Sequence, residues 1–159
     1  MQQITRMVTL GIVFAFLLVI NLPAQAPDPR HGTWELNLAK SKFSPGPAPK
    51  SATRTYDIAG QKIKYVVRGM NAEGKPILTQ YEAQFDGKDY PITGFADADM
   101  ISLKKIDAHT YQATQKKAGK VVITTTNVIS QDGKVMTVTS KGTNAKGQTI
   151  NNVLVFDKR

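Results

Sequence analysis

Hydrophobic and polar residues alternate over much of the chain that follows residue 60. Ile63, Tyr65 and Val67 share one face of an extended segment, and lysine and arginine occupy its other face. Met136 and Val138 alternate with threonines in the same way. A period of two with one polar face is typical of antiparallel sheet, and no helical period competes with it after the N-terminal region. The pattern therefore predicts an all-β fold.

Glycine-containing turns divide this pattern at intervals of 13 or 14 residues, as from Gly60 to Gly74 and from Gly119 to Gly133. Several are hairpin signals, because glycine adopts a positive φ at little cost. The predicted strands are 32–38, 51–58, 61–69, 76–86, 89–94, 99–106, 109–117, 120–130, 134–142 and 148–157. Sequential hairpins leave exposed edges unless the sheet closes. We therefore predict an antiparallel up-and-down meander barrel of about ten strands.

The two halves of this pattern resemble each other. A shift of 73 residues superposes Gly60 on Gly133 and Gly69 on Gly142. Either an internal duplication or the similar needs of similar hairpins accounts for the match. Both interpretations imply a repeated hairpin unit.

The N-terminus has the pattern of a secretory signal peptide. Residues 10–20 form an unbroken apolar run that Arg6 precedes and small residues follow. This run is short for a transmembrane helix, which needs about 20 apolar residues, although an uncleaved anchor is the alternative. We predict a signal-peptide helix that is cleaved after Ala26 or Ala24, with export to the periplasm or the extracellular space.

Residues 27–159 are then expected to form a single domain, with residues 1–26 as the signal peptide. The chain of 159 residues is 41% hydrophobic and has a formal net charge of +9, so it has enough apolar material for a core. It contains no cysteine, which excludes disulfides, thiolate metal sites and thiol catalysis. Sheet closure and apolar packing must therefore stabilise the domain.

Two segments resemble the calycin families. Gly32-Thr33-Trp34 is similar to the opening strand of lipocalins and of intracellular fatty-acid-binding proteins. Residues 132–139 and 153–158 resemble the last two strands of the latter family. The whole chain looks like a group of small exported bacterial lipocalin-like proteins, most of which have no assigned function. The resemblance implies that Trp34 plugs the closed end of a β-barrel.

The chain also departs from these families. Fatty-acid-binding proteins carry a helix-turn-helix lid after the first strand, but three prolines within residues 39–50 disfavour a helix there. Leu154 and Phe156 occupy the positions that match the family's Arg and Tyr carboxylate clamp. Burying a carboxylate against Leu and Phe would cost several kcal/mol. Fatty-acid binding is therefore not carried over from the resemblance.

A barrel of about ten strands is wider than side chains alone can fill, so we expect a cavity. The candidate lumen residues are Tyr65, Tyr81, Phe85, Tyr111, Ile123, Met136, Val138, Asn152, Leu154 and Phe156. Aromatic walls with a few polar groups suit a small, mostly apolar molecule. The first functional hypothesis is therefore an exported, non-enzymatic, monomeric barrel that binds such a ligand without a cofactor.

A surface interaction module is the second hypothesis. Lysines flank the proline-rich segment and several turns: Lys40, Lys42, Lys50, Lys104, Lys105, Lys116, Lys117 and Lys120. They could contact acidic envelope polymers or anionic lipid. Alternatively, they keep strand edges and hairpin ends soluble. Nucleic acid is not expected as a partner, because no motif of aromatic and basic residues for RNA binding is visible.

An enzyme is the third hypothesis, and it has few residues to draw on. His31 and His109 both fall in predicted loops or strand ends. Asp97 and Asp99 form an acidic pair, but calcium needs six to eight oxygen ligands. We therefore predict no catalytic residues and no metal site, and assign these side chains to solvated loops.

Overall fold

Ten antiparallel strands form a closed barrel in the computed structural model, which describes residues 27–159. The predicted signal peptide, residues 1–26, lies outside the described residues. The strands are β1 (Gly32–Leu36), β2 (Ser51–Ala59), β3 (Lys62–Met70), β4 (Pro76–Gln84), β5 (Asp89–Thr93), β6 (Met100–Lys105), β7 (Thr110–Lys117), β8 (Lys120–Ile129), β9 (Val135–Thr143) and β10 (Thr149–Lys158). Within these residues, no helix has the length and apolar character to cross a membrane.

The strands pair in sequence order, and β1 closes the barrel by pairing with both β2 and β10. Trp34 lies opposite Arg54 of β2 and Lys158 of β10. The predicted all-β meander barrel is thus confirmed, and each predicted strand boundary lies within two residues of the observed one. Closure satisfies the backbone groups that two free edge strands would expose.

The connections between strands define two ends of the barrel. The closed end is the end formed by the connections β2–β3, β4–β5, β6–β7 and β8–β9. The open end is formed by the connections β1–β2, β3–β4, β5–β6, β7–β8 and β9–β10. Residues 27–31 precede β1 at the closed end. The long connection 37–50 lies at the open end.

The connection 37–50 contains one turn of 3-10 helix, Leu38–Lys40, and no helical lid. Beyond this turn the chain is extended, and Lys42 pairs with Val153 of β10. The carbonyl of Ser44 accepts a further hydrogen bond from β10. We call the connection 37–50 the strap. Its residues 42–44 run along β10 beyond the end of β1, and its prolines follow this paired part.

Much of the hydrophobic core lies in the closed half of the barrel. Trp34, Met136 and Val138 are each 0% exposed, and Phe156 is 1% exposed. Tyr111 lies in the same cluster. These side chains belong to strands from across the barrel, so the core closes the lumen from below.

Strands β4 and β5 share the shortest pairing of the barrel, with Gln80 opposite Thr93 and Tyr81 opposite Ile92. Gly94 extends this contact towards the open end. Its φ is +72°, and a Cβ there would collide with the carbonyl oxygen of Leu78. Glycine is therefore required for this close approach of the two strands.

Candidate functional site

A cavity of about 280 Å³ lies above the core in the open half of the barrel. Strands from all around the barrel contribute to its wall, and Phe95 and Asp97 border it from the β5–β6 connection. Protein interiors hold few voids larger than a water molecule, which occupies about 30 Å³ in the liquid. The lumen is therefore not filled by side chains.

Five of the ten predicted lumen residues line this cavity: Tyr65, Tyr81, Ile123, Asn152 and Leu154. Met136, Val138 and Phe156 are buried in the core and do not belong to its wall. Phe85 and Tyr111 lie at the closed end, where both rings pack on the Arg30 guanidinium. Alternation gives the inward face of each strand, but it does not give the height of a residue along the barrel axis.

Three tyrosines form a ladder across neighbouring strands on one wall. Tyr56 of β2 lies opposite Tyr65 of β3, which lies opposite Tyr81 of β4. The ring centroids are 4.9 Å apart in the first pair and 4.6 Å apart in the second. Burial raises the pKa of both Tyr65 and Tyr81. These hydroxyls are therefore neutral at physiological pH and can donate hydrogen bonds.

Arg54 lies one pleat above Tyr56 on the same face of β2 and lines the same cavity. Its guanidinium carbon is 4.2 Å from the centroid of the Phe156 ring. Burial acts to lower the pKa of Arg54, but the neighbouring tyrosines, Tyr65 first, raise it above its usual value. The cavity wall thus carries a permanent positive charge.

The part of the wall formed by β8, β9 and β10 carries short polar side chains. Thr125 of β8 and Ser140 of β9 share a hydrogen bond of 2.9 Å between their hydroxyls. Asn152 of β10 accepts a 2.7 Å hydrogen bond from the backbone N–H of Ser44 in the strap. Isoleucines and Leu154 fill the space between these polar groups. The cavity is therefore apolar in part, with polar groups on two sides.

Residues 27–31 seal the closed end, and we call them the N-terminal plug. Arg30 is 3% exposed and forms a two-pronged ion pair with Asp28, with both N–O distances 3.1 Å. Its backbone carbonyl accepts a 2.7 Å hydrogen bond from the indole N–H of Trp34. The Tyr111 hydroxyl lies 3.2 Å from the Asp28 carboxylate. The buried Trp34 is thus hydrogen-bonded to the N-terminal plug.

The candidate residues for catalysis are far apart in the barrel. Asp97 and Asp99 belong to the open end, and His109 belongs to the closed end at the other end of β6. Asp97 accepts a 2.8 Å hydrogen bond from the backbone N–H of Ala145, and Asp99 accepts one of 3.1 Å from that of Ala118. These carboxylates therefore tie connections of the open end together.

His31 is exposed, and its Nδ1 accepts a 3.1 Å hydrogen bond from the backbone N–H of Ile58. This contact connects the N-terminal plug to β2. In residues 27–159, no group of three or more histidine, aspartate or glutamate side chains is arranged to hold a metal ion. The described part of the chain thus offers a cavity as its candidate functional site.

No protein-family profile matches the chain, and a search of curated proteins finds no match either. A search of solved structures finds zebrafish ileal bile acid-binding protein in complex with cholic acid. The two chains superpose with a TM-score of 0.52 and 11% sequence identity, over 82% of this chain and 99% of the zebrafish chain. A likeness at this identity concerns the fold. The chain therefore has a calycin-like β-barrel fold.

Proposed function

We propose that the protein is an exported, non-enzymatic barrel that binds a small, mostly apolar molecule in its lumen. The observation that carries this proposal is the cavity of about 280 Å³ above a fully packed core. Its volume lies just below the roughly 300–1,000 Å³ of ligand pockets. The ligand is expected to be correspondingly small.

The composition of the wall supports this proposal. Isoleucines, Val67, Leu154 and aromatic rings supply most of the contact surface. Neighbours fix some of the polar groups, as in the Thr125–Ser140 hydrogen bond, whereas the buried side-chain oxygens of Gln115 and Asn127 accept no hydrogen bond from the protein. Polar groups placed among apolar side chains are typical of pockets that orient a ligand. The solved structure with the similar fold contains cholic acid. A ligand inside the barrel of this chain is consistent with that likeness.

A pair of tryptophan substitutions on one strand tests the proposal. Leu154 lines the cavity, whereas Asn151 lies on the same strand and is exposed. Leu154→Trp should fill the lumen and abolish the fluorescence gain of the neutral dye N-phenylnaphthylamine. Asn151→Trp adds the same bulk to the outer face and should bind the dye as the wild type does. Circular dichroism verifies that both variants are folded.

The proposal fails if the folded wild-type protein does not bind the dye. It also fails if Leu154→Trp binds the dye as tightly as Asn151→Trp, because the binding site would then lie outside the lumen.

The distribution of lysines supports a second candidate function. Lys42, Lys50, Lys117, Lys120 and Lys146 are exposed in or beside the connections of the open end. We infer that these lysines form a basic rim that attracts the protein to acidic envelope polymers or anionic lipid. Such binding should weaken steeply between low and moderate salt, because exposed charges are screened within about 10 Å at 0.1 M salt. Salt-independent binding of anionic vesicles would contradict it.

A further inference from the structure

The guanidinium of Arg54 is a positive charge inside the barrel without an acidic partner. Among the described residues, no aspartate or glutamate forms an ion pair with it. Asp97 borders the same cavity, but it is held by the backbone N–H of Ala145 at the open end. By contrast, the buried Arg30 at the closed end is paired with Asp28. Arg54 is thus a half-buried cation that lines the cavity and has no ion-pair partner among residues 27–159.

An unpaired charge inside a protein is costly, so buried charges are normally paired or bind a ligand. The Phe156 ring 4.2 Å from the guanidinium carbon offsets part of this cost by a cation–π contact. That contact occupies one face of the planar guanidinium. The N–H groups at its edge donate in the plane and can still bind an anion.

The tyrosine ladder places further donors beside this charge. Tyr56, Tyr65 and Tyr81 line the same cavity as Arg54. The Tyr56 hydroxyl donates to the sulfur of Met136 at 3.8 Å, so the hydroxyls of Tyr65 and Tyr81 are the donors that can face a ligand. Neutral tyrosine hydroxyls can donate to an oxyanion, as the guanidinium does. One wall of the cavity therefore joins a fixed positive charge with hydroxyl donors.

We propose that this wall is an anion site, and that the ligand of the lumen carries a carboxylate, sulfonate or sulfate group that binds Arg54. The apolar part of the ligand then lies against the isoleucines and Leu154. This inference rests on the proposed function, since it names the chemical class of the same ligand. It places the charged side chain on β2, packed on the Phe156 ring, whereas the resemblance to fatty-acid-binding proteins places the carboxylate clamp on the strand β10 itself, at positions 154 and 156.

Two dyes that share one ring system test the charge preference directly. Anilinonaphthalene sulfonate carries a sulfonate, and N-phenylnaphthylamine is the neutral counterpart. The wild-type protein should bind the sulfonate more tightly. Arg54→Met should lose about tenfold or more of the sulfonate affinity, because hydrogen bonds to a charged group contribute about 1.5–3 kcal/mol. Its affinity for the neutral dye should fall by much less than its affinity for the sulfonate, and circular dichroism verifies that the variant is folded.

Arg68→Met is the matched control. Arg68 is exposed on the neighbouring strand β3, so its loss removes the same charge from the outer face. The sulfonate affinity of this variant should be unchanged. Arg54→Lys keeps the charge without the planar donors and should fall between the wild type and Arg54→Met. If Arg54→Met does not fold, two other measurements test the inference: the sulfonate affinity of Arg54→Lys, and the preference of the wild type for the sulfonate over the neutral dye.

Three outcomes overturn the inference while the proposed function stands. They are equal affinity of the wild type for both dyes, an equal loss in Arg68→Met, and a sulfonate preference that disappears in moderate salt. The last would assign the sulfonate to exposed lysines, whose attraction is screened. If the wild type binds neither dye, the proposed function itself is contradicted. The two failures are thereby distinguished.

Discussion

Asp28 and Arg30 connect the N-terminal plug to the aromatic side chains at the closed end of the barrel. It pairs with Arg30, and the Arg30 guanidinium carbon lies 3.3 Å from the centroid of the Tyr111 ring and 4.2 Å from that of Phe85. The side chains of Arg30 and Asp28 are 4% and 14% exposed. Water is largely excluded, and among residues 27–159 neither charge has another ion-pair partner. Each residue of this pair thus depends on the other.

Asp28→Asn is therefore expected to destabilise the protein strongly. It leaves the Arg30 charge buried without a partner, and breaking a buried ion pair in this way costs about 3 kcal/mol or more. Glu35→Gln is the control, because the Glu35–Arg159 pair is exposed and such pairs contribute about 0–1 kcal/mol. Urea unfolding measures both. Equal losses in the two variants would contradict the assigned role of Asp28.

The same pair predicts a dependence of stability on pH. Burial raises the pKa of Asp28, but the hydrogen bonds and charge of Arg30 outweigh it and leave the pKa below its usual 3.8. A lowered pKa in the folded state means that the ionised carboxylate stabilises the fold above pH 3.8 and that this contribution is lost as the pH falls through the lowered value. Unfolding free energies measured from pH 6 to pH 2 should show this loss in the wild type. Asp28→Asn should lack that part of the decline, and an identical decline in both proteins would refute the assignment.

Arg54 illustrates what sequence reasoning at this scale missed. Arg54, Tyr56 and Ile58 alternate with polar residues, so the same period of two that identified β3 also turns Arg54 inward. That signal was present. Whether an inward arginine is paired, however, depends on distances between strands that are remote in sequence. For the same reason alternation could not separate Tyr81 in the cavity from Tyr111 beneath it.

At the scale of the elements, the contact between β4 and β5 combines a short pairing with a close backbone approach. Gly94 meets the carbonyl oxygen of Leu78, and its φ of +72° is in the left-handed region. Glycines in several hairpin turns have a similar φ but free space around them. Gly133, with a φ of +70°, has no atom within 4 Å of an added Cβ. A side chain at Gly133 would therefore cause backbone strain alone, whereas one at Gly94 would cause both backbone strain and a steric collision.

Gly94→Ala should consequently destabilise the protein more than Gly133→Ala. Both variants strain the backbone by about 1–2 kcal/mol. Gly94→Ala adds a collision between strands, and overpacking costs about 1–3 kcal/mol more. Urea unfolding of both variants gives the difference. Equal destabilisation would mean that β4 and β5 separate without cost.

Strand positions were predictable because turn residues and alternation are local signals. The repeat at a shift of 73 residues has a structural counterpart: Gly69 and Gly142 are both inward positions where a Cβ would collide with the neighbouring strand, at Ser51 and Val122. Similar hairpins thus require glycine at similar places, as the convergence interpretation assumes. The strap was foreseeable in part, since the prolines excluded a helical lid. Its pairing with β10 is a contact across more than 100 residues and left no local signal.

At the scale of the whole molecule, the barrel has a packed half and an unfilled half. The N-terminal plug and Trp34 seal the first, and the cavity with Arg54 lies in the second. Closure of the sheet was predictable from the cost of free edges. The volume of the lumen was not, because it depends on how side chains from every strand divide the space. In the proposed function, the packed half stabilises the barrel and the unfilled half binds the ligand.

The position of a bound ligand tests this account most directly. Nuclear Overhauser contacts between bound N-phenylnaphthylamine and protein methyl groups report which side chains it touches. The account predicts contacts to Ile101, Ile123 and Leu154, which line the cavity. Contacts confined to Val121 and Val128, which are exposed on the outer surface, would contradict it.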